Sequence, residues 1–349
     1  MTIKEIFSIA VTEKASDVHL LVGYVPMLRI DGHLLEMPGS KKVLEEKEIE
    51  VLIDSMLTAE QRFAFIKDRN LDFGYQLADG SRYRVNVFFE KKNRGLVARL
   101  ISDIIPDIKA LGLPPVVLDI LNLRQGLILV TGPTGSGKST TLAAMINHIN
   151  LNRRANIITL EDPIEYVFQP KKSMFMQRQL GDDMISFADG LKCAMRQDPN
   201  VIMVGEMRDL ESMAATVTLA ETGHLVFATL HTYSAAQTID RIIDIFPPYQ
   251  QNQVRMQLSA SLACVISQRL LPKNGVDGRV AVRELLINTP AVANMIRENK
   301  IPQIKSIIET NSKIGMQTMD QNLLLLLKQG LITRDVAMNY AENPETLKA

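Results

Sequence analysis

Apolar residues at Ile3, Ile6, Phe7, Ala10 and Val11 recur at helical spacing, so the chain is predicted to open with an amphipathic helix. Residues 17–21 alternate as a strand does, and the apolar stretches 27–30 and 33–35 flank Asp31-Gly32, a hairpin turn signal. Helical spacing returns over 45–57 and 59–67. Strands at 71–76 and 83–90 flank a second turn, Asp79-Gly80, and 96–100 adds a last strand. Residues 1–102 therefore read as a small α+β domain with an antiparallel sheet. The segment 103–115 carries Pro106, Gly112, Pro114 and Pro115 and reads as a linker or hinge.

From 116 onward the rhythm changes to short apolar runs alternating with helices. The runs 126–131, 156–160, 201–204 and 225–229 are rich in β-branched residues, as strands buried on both faces are, and predict a parallel sheet. Beyond Pro248 the pattern predicts helices over 250–270, 290–298, 302–311, 318–329 and 333–341, with a strand over 279–286. The leucine run Leu323 to Leu327 reads as core, with a partner-binding face as the alternative. The whole of 116–349 is taken as one α/β domain with a helical C-terminal region.

Composition narrows the function classes. A chain of 349 residues exceeds what one core usually serves, which supports two domains. Lys+Arg and Asp+Glu both number 39, so no global basic field points to nucleic acid, and a dedicated helicase is disfavoured. Cys193 and Cys264 lie far apart in apolar surroundings and read as buried core thiols in a reducing compartment. The N-terminal pattern carries Lys4 and Glu5 and does not resemble a signal peptide, and no apolar run is long enough to span a membrane. A cytosolic protein is expected, reaching any membrane through a partner.

The candidate chemistry begins where the apolar run 126–131 ends. Gly132-Pro133-Thr134-Gly135-Ser136-Gly137-Lys138-Ser139, with Thr140 after it, is a G-x-x-x-x-G-K-[ST] loop between a strand and a helix. Its glycines let backbone N–H groups turn inward and cradle phosphates at a helix N-terminus. Lys138 is placed to reach the β/γ oxygens and Ser139 to ligate Mg²⁺, which predicts ATP as ligand with Mg²⁺ as cofactor. The other strands each deliver polar groups at their C-terminal ends: Glu161-Asp162, Glu206 and His231. In an open α/β sheet ligands sit outside those ends, so all three are expected to converge on the loop. Gly205 stands where a metal-ordering aspartate is common. Glu206 is then expected to hold the Mg²⁺ hydration shell or orient the attacking water, with Glu161 taking the other task. The plainer alternative is that these acids cap helices or pair with Arg208. His231 occupies a γ-phosphate sensor position; His224, at the strand's other end, does not. Arg82, Arg84 and Arg99, just before the linker, could supply positive charge in cis or in trans, or simply cover a solvated sheet face.

Four of these stretches together resemble the ATPases of the secretion superfamily. Gly132 to Thr140 matches its Walker A loop, and Thr159-Leu160-Glu161-Asp162-Pro163-Ile164-Glu165 its Asp box. Val204-Gly205-Glu206-Met207-Arg208-Asp209 matches its atypical Walker B strand, and the run from Thr222 to Thr232 its His box. Along nearly the whole chain the likeness is to the family that retracts type IV pili in twitching motility. The resemblance implies a RecA-like P-loop ATPase domain joined to a smaller PAS-like α+β N-terminal domain, the latter through Ala15-Ser16-Asp17-Val18-His19-Leu20. It implies a homo-hexamer delivering work to the inner-membrane pilus platform on its cytoplasmic face, with pilin engaged only indirectly, no nucleic acid and no direct membrane insertion. Pilus-assembly or type II secretion ATPases, and accessory retraction paralogues, share the core. Many of the assembly and secretion enzymes carry a four-cysteine zinc insertion, which two distant cysteines cannot build. The stretch Ala291-Val292-Ala293-Asn294-Met295-Ile296-Arg297-Glu298 matches a retraction-associated segment in which an arginine is usual at the place of Ala293; an arginine there is expected to be tolerated, bordering the exposed face of Asn294, Arg297 and Glu298.

Overall fold

A computed structural model describes residues 1–30, 32–101, 104–275 and 278–348. The chain divides into two compact units, Met1–Ile104 with Glu165–Val167, and Ile105–Ile164 with Phe168–Ala349.

The first unit opens with α1 (Ile3–Thr12). The Thr2 hydroxyl accepts the Glu5 N–H, and the Glu5 carboxylate accepts the Thr2 N–H at 2.8 Å, which satisfies two donors that a helix start leaves open. There follow β1 (Asp17–Leu20), β2 (Met27–Ile30), β3 (His33–Glu36), α2 (Glu46–Asp54), α3 (Ala59–Asp68), β4 (Asn70–Gln76), β5 (Arg82–Glu90) and β6 (Asn93–Ile101). The strands pair antiparallel in the order β3-β2-β1-β6-β5-β4. Alternation in β5 turns Tyr83, Val85 and Val87 into the core and leaves Arg82 and Arg84 on the opposite face. Tyr83 stacks on Phe7 with ring centroids 4.1 Å apart, and its hydroxyl donates to the Phe7 carbonyl at 2.8 Å. Of the two turn signals, Asp79 caps its own turn by accepting the Ser81 N–H, while Asp31 lies outside the described residues.

In the second unit the segment read as a linker carries regular structure. A 3₁₀ turn at Ile108–Leu111 buries Ile108, and α4 (Val116–Ile120) follows; Asp103, at that segment's start, lies outside the described residues. The chain then forms β7 (Gly126–Thr131), α5 (Lys138–Asn152), β8 (Asn156–Glu161), β9 (Met174–Gln179), α6 (Phe187–Ala194), β10 (Val201–Val204), α7 (Leu210–Glu221), β11 (Leu225–Leu230), α8 (Ala235–Asp244) and α9 (Pro248–Ser261). It ends with β12 (Leu262–Pro272), β13 (Arg279–Ile287), α10 (Pro290–Arg297), α11 (Ile304–Thr310), α12 (Met319–Lys328) and α13 (Arg334–Tyr340). The sheet order is β13-β12-β7-β11-β10-β8-β9, all parallel except the β12–β13 hairpin. Every residue of β7 and β11 is buried, as expected of central strands covered on both faces.

Two expectations about elements need correction. The helix predicted over 250–270 ends at Ser261, and 262–272 is strand β12. A continuous apolar stretch fits a buried helix and a buried strand equally well; pairing with the open edge of β7 decides it. Strand β9 had no predicted counterpart, because Met174-Phe175-Met176-Gln177-Arg178-Gln179 neither alternates cleanly nor contains a β-branched residue; it pairs with β8 at the sheet edge. The thiols also differ, Cys264 being buried and Cys193 exposed. The leucine run is chiefly core: Leu323 and Leu326 are buried, Leu324 and Leu327 pack against the same cluster, and only Leu325 of the five is exposed. No helix among the described residues is long and apolar enough to cross a membrane.

Tyr83→Phe keeps the stacked ring but deletes the donor to Phe7. The expected cost is about 1 kcal/mol of stability, read as a lowered melting temperature, whereas an unchanged melt would show that this buried hydrogen bond contributes nothing.

Candidate active site

The site starts from a backbone constraint at the end of β7. Gly132 has φ +142°, and a Cβ there would lie 2.2 Å from the Gln268 carbonyl oxygen and 2.7 Å from Ser136 Oγ. Only glycine lets the loop pass so close to β12. Gly135 and Gly137 also hold positive φ, and Gly137 caps α5, so the loop delivers its N–H groups to the start of a 15-residue helix. That is the electrostatically positive end of the helix and suits anionic oxygens. Lys138 folds over the loop, its Nζ donating to the carbonyls of Gly132 at 2.8 Å and Pro133 at 3.1 Å. From behind, Gln268 braces the loop: its Nε2 donates to the Ser136 carbonyl at 2.7 Å and its Oε1 accepts from the Thr141 hydroxyl at 3.0 Å. Thr131 and Ser267 hydroxyls meet at 2.8 Å one step away.

Strands β8, β10 and β11 lie beside β7 and run parallel to it, so their C-terminal ends share the loop's edge of the sheet. Glu206 follows β10. Its Oε2 bonds Arg208 Nη2 at 2.8 Å, and its Oε1 lies 3.1 Å from His231 Nε2, the residue that follows β11. Arg208 also reaches Asp162 Oδ2 at 3.8 Å. Burial alone would push the Glu206 carboxyl up; the hydrogen bond and charge of Arg208, with His231 and Lys138 contributing, outweigh it and hold the group below the ordinary glutamate range. Gly205 has its own steric reason: a side chain there would sit 3.1 Å from the Leu160 carbonyl oxygen and 3.3 Å from Glu161 Cα. A side chain there would press on the packing between β10 and β8. Glu161 ends β8 in a buried position, where its Oε1 accepts from Thr159 Oγ1 at 2.7 Å and Gln177 Nε2 at 3.1 Å.

Of the residues expected from sequence, the second unit gathers the loop, Glu161, Glu206 and His231 at one sheet edge. His224 is at the other end of β11, with Nδ1 3.0 Å from the Leu219 carbonyl. The three arginines lie on the sheet of the first unit. Arg99 Nε bonds Asp17 Oδ1 at 2.9 Å while its side chain stays 71% exposed, and Arg84 Nε lies 3.7 Å from Asp72 Oδ1. Cross-strand register places Arg29, Asp17, Arg99 and Arg84 in one row. The pairing of Glu206 with Arg208, raised above as an alternative to catalysis, is present, and it keeps the carboxylate charged. Sequence reasoning missed Gln268. Its signal was the interruption Ser267-Gln268-Arg269 in an apolar run, hidden once that run was read as helix. It also misplaced Ala293, which is 9% exposed beside buried Val292 and Ile296; an arginine there would start from the packed side of α10, so the expected tolerance is withdrawn.

A cation at this site would lean on Ser139 and Glu206 and on the nucleotide itself, since no group of three or more His, Cys, Asp or Glu side chains among the described residues could hold a metal unaided. The loop's inward-turned backbone and Lys138 fit a polyphosphate.

A family model described as type II/IV secretion system protein matches residues 1–339. The type IV pilus retractation ATPase PilT of Pseudomonas aeruginosa is 44% identical over 347 residues, 99% of each chain. A twitching motility protein of Neisseria gonorrhoeae is 46% identical over 324 residues, covering 92% of this chain and 86% of its own. The crystal structure of the pilus retraction motor PilT with bound ADP matches with a TM-score of 0.93 at 47% identity, covering 100% of this chain and 99% of that one.

Gly132→Ala should abolish ATP binding in the folded protein, because the new methyl group meets a backbone oxygen that cannot move aside without opening the β7–β12 pairing. Equilibrium binding of a fluorescent ATP analogue checks this; wild-type affinity would refute the steric reading of the loop.

Proposed function

Because the chain belongs to the type II/IV secretion system protein family, we propose that it is an ATPase that drives type IV pilus retraction and twitching motility. The observation that carries this reading is the end-to-end match to a pilus retraction ATPase, in a chain whose phosphate loop and charged glutamate share one strand edge. The protein works as a cytoplasmic homo-hexamer, docked on the pilus platform at the inner membrane, and moves pilin only through that platform. Its N-terminal unit is the PAS-like domain and its second unit the RecA-like one.

In this reading the loop residues Gly132 to Thr140 bind the ATP phosphates, and Lys138 sets a cation against the β/γ oxygens. Ser139 and Glu206 would hold Mg²⁺, which when bound neutralises phosphate charge. Glu206, kept ionised by Arg208, orients the attacking water and takes up its proton. His231 touches the same carboxylate and reports the γ-phosphate to it. Glu161, buried at the end of β8, takes whichever of the two tasks, Mg²⁺ shell or attacking water, Glu206 does not carry out in the reaction. Arg82, Arg84 and Arg99 supply further positive charge, and mixing arginine-deficient chains with Lys138→Ala chains tells which subunit provides it. Recovered activity means the arginines act across a subunit interface.

Glu206→Gln should bind ATP normally and lose roughly 10²-fold or more in hydrolysis, because shape is kept while the base is lost. Normal turnover there, with Glu161→Gln inactive, would reverse the two roles. In a deletion strain, excess surface pili without twitching are expected; bald cells would instead mean an assembly motor.

A further inference from the structure

The loop that carries His231 is tied down from the β12–β13 hairpin. After His231 the chain runs through Thr232, Tyr233 and Ser234 and enters α8 at Ala235. The Ala235 N–H donates to Glu284 Oε1 at 2.7 Å. Glu284 sits on β13 and is only 4% exposed. One strand over, the Arg269 guanidinium lies 5.6 Å from the centre of the Tyr233 ring. Register pairs Glu284 with Ser267, which neighbours the loop-bracing Gln268. The same hairpin therefore grips the phosphate loop through β12 and the His231 loop through β13.

A carboxylate this deeply buried has given up water, and burial pushes its carboxyl up, with the Ala235 N–H as the main opposing influence. Its hydrogen bond to a helix-start N–H is short, at 2.7 Å, and offsets part of the water it has lost. Without it, residues 231–234 would be held by β11 at one end, by Arg269 against Tyr233, and by bonds to α8 itself, such as Thr232 with Thr238 and Tyr233 N–H with Gln237.

We propose that Glu284 is a positioning residue for His231: by anchoring the first turn of α8 it sets where the imidazole stands against Glu206 and the γ-phosphate. This rests on the assignment of His231 to the hydrolytic site. The residue touches no substrate and acts only through the loop.

Steady-state ATP hydrolysis by the full-length protein tests it, using Glu284→Ala, Glu284→Gln, Ala235→Pro and His231→Ala, and the first of these combined with the last. Ala235→Pro removes the donor at the first helical position, where proline's fixed φ is acceptable and the preceding Ser234 is already extended, and its ring carbon displaces the Glu284 carboxylate from the buried nitrogen. Glu284→Ala and Ala235→Pro are each expected to lower kcat about tenfold with KM for ATP unchanged. Glu284→Gln, which keeps an acceptor oxygen, should restore most of the rate. In the His231→Ala background, Glu284→Ala should cost nothing more. An equal further loss in that background would show a general structural role and overturn the proposal. If Glu284→Ala fails to fold, Ala235→Pro carries the test, and its normal turnover would overturn this proposal alone. Normal turnover in His231→Ala would overturn the underlying assignment of His231 and this inference with it.

Discussion

The approach of the Gln268 backbone to Gly132 is the constraint on which the second unit depends. A carbonyl oxygen fills the place of a side chain at 132, and the Gln268 amide then reaches round to the Ser136 carbonyl. Such closeness needs β12 to be a strand in register with β7, Thr131 facing Ser267. It also needs the chain after α9 to abandon a helix that its local pattern would allow. Pairing to β7 satisfies a full row of backbone donors and acceptors in a buried setting, where each orphaned group would cost on the order of 1–3 kcal/mol. That outweighs any helical preference of the same residues.

The parts legible in the sequence and the parts that were not divide along this line. The phosphate loop, the ends of β8, β10 and β11, and the small antiparallel sheet all announce themselves through local signals: glycine spacing, β-branched runs, Asx-Gly turns. The convergence of Glu206 and His231 followed from a topological rule about strand ends, and their contact at 3.1 Å agrees with it. What stayed hidden was set by partners distant in sequence. Gln268 matters because of Ser136 and Thr141, 132 and 127 positions away. Ala293 seemed to border an exposed face when only its own helix was considered; the burial of that side is supplied by packing that the helix does not encode. Gly205 was noted as a departure from a motif, and its cause, the Leu160 carbonyl, is equally invisible in one dimension.

The two carboxylates Glu206 and Glu284 show how burial produces opposite charge behaviour within one sheet. Both lose water. Glu206 gains Arg208 at 2.8 Å and His231 at 3.1 Å, and its folded-state pKa falls; for Glu284 burial outweighs the Ala235 N–H, and its pKa rises. The linkage signs follow. A carboxylate whose folded pKa is depressed contributes stability above its unfolded pKa and loses it as pH falls through the folded value. One whose folded pKa is raised contributes stability below its unfolded pKa and loses it as pH rises through the folded value. The folded state therefore strengthens the ionised form of Glu206. Glu284 is buried, so its donor at Ala235 cannot be removed without consequence. The charge on Glu206 is supported by its neighbours, whereas that on Glu284 is opposed by burial. An arrangement of that kind makes the hold on the His231 loop sensitive to small shifts of β13. Strand β13 is itself bonded to the C-terminal region, through Arg283 N–H to Asn322 on α12 and through Leu285 to Gln317. A displacement of α12 has a short covalent and hydrogen-bonded route to His231, which stands beside Glu206.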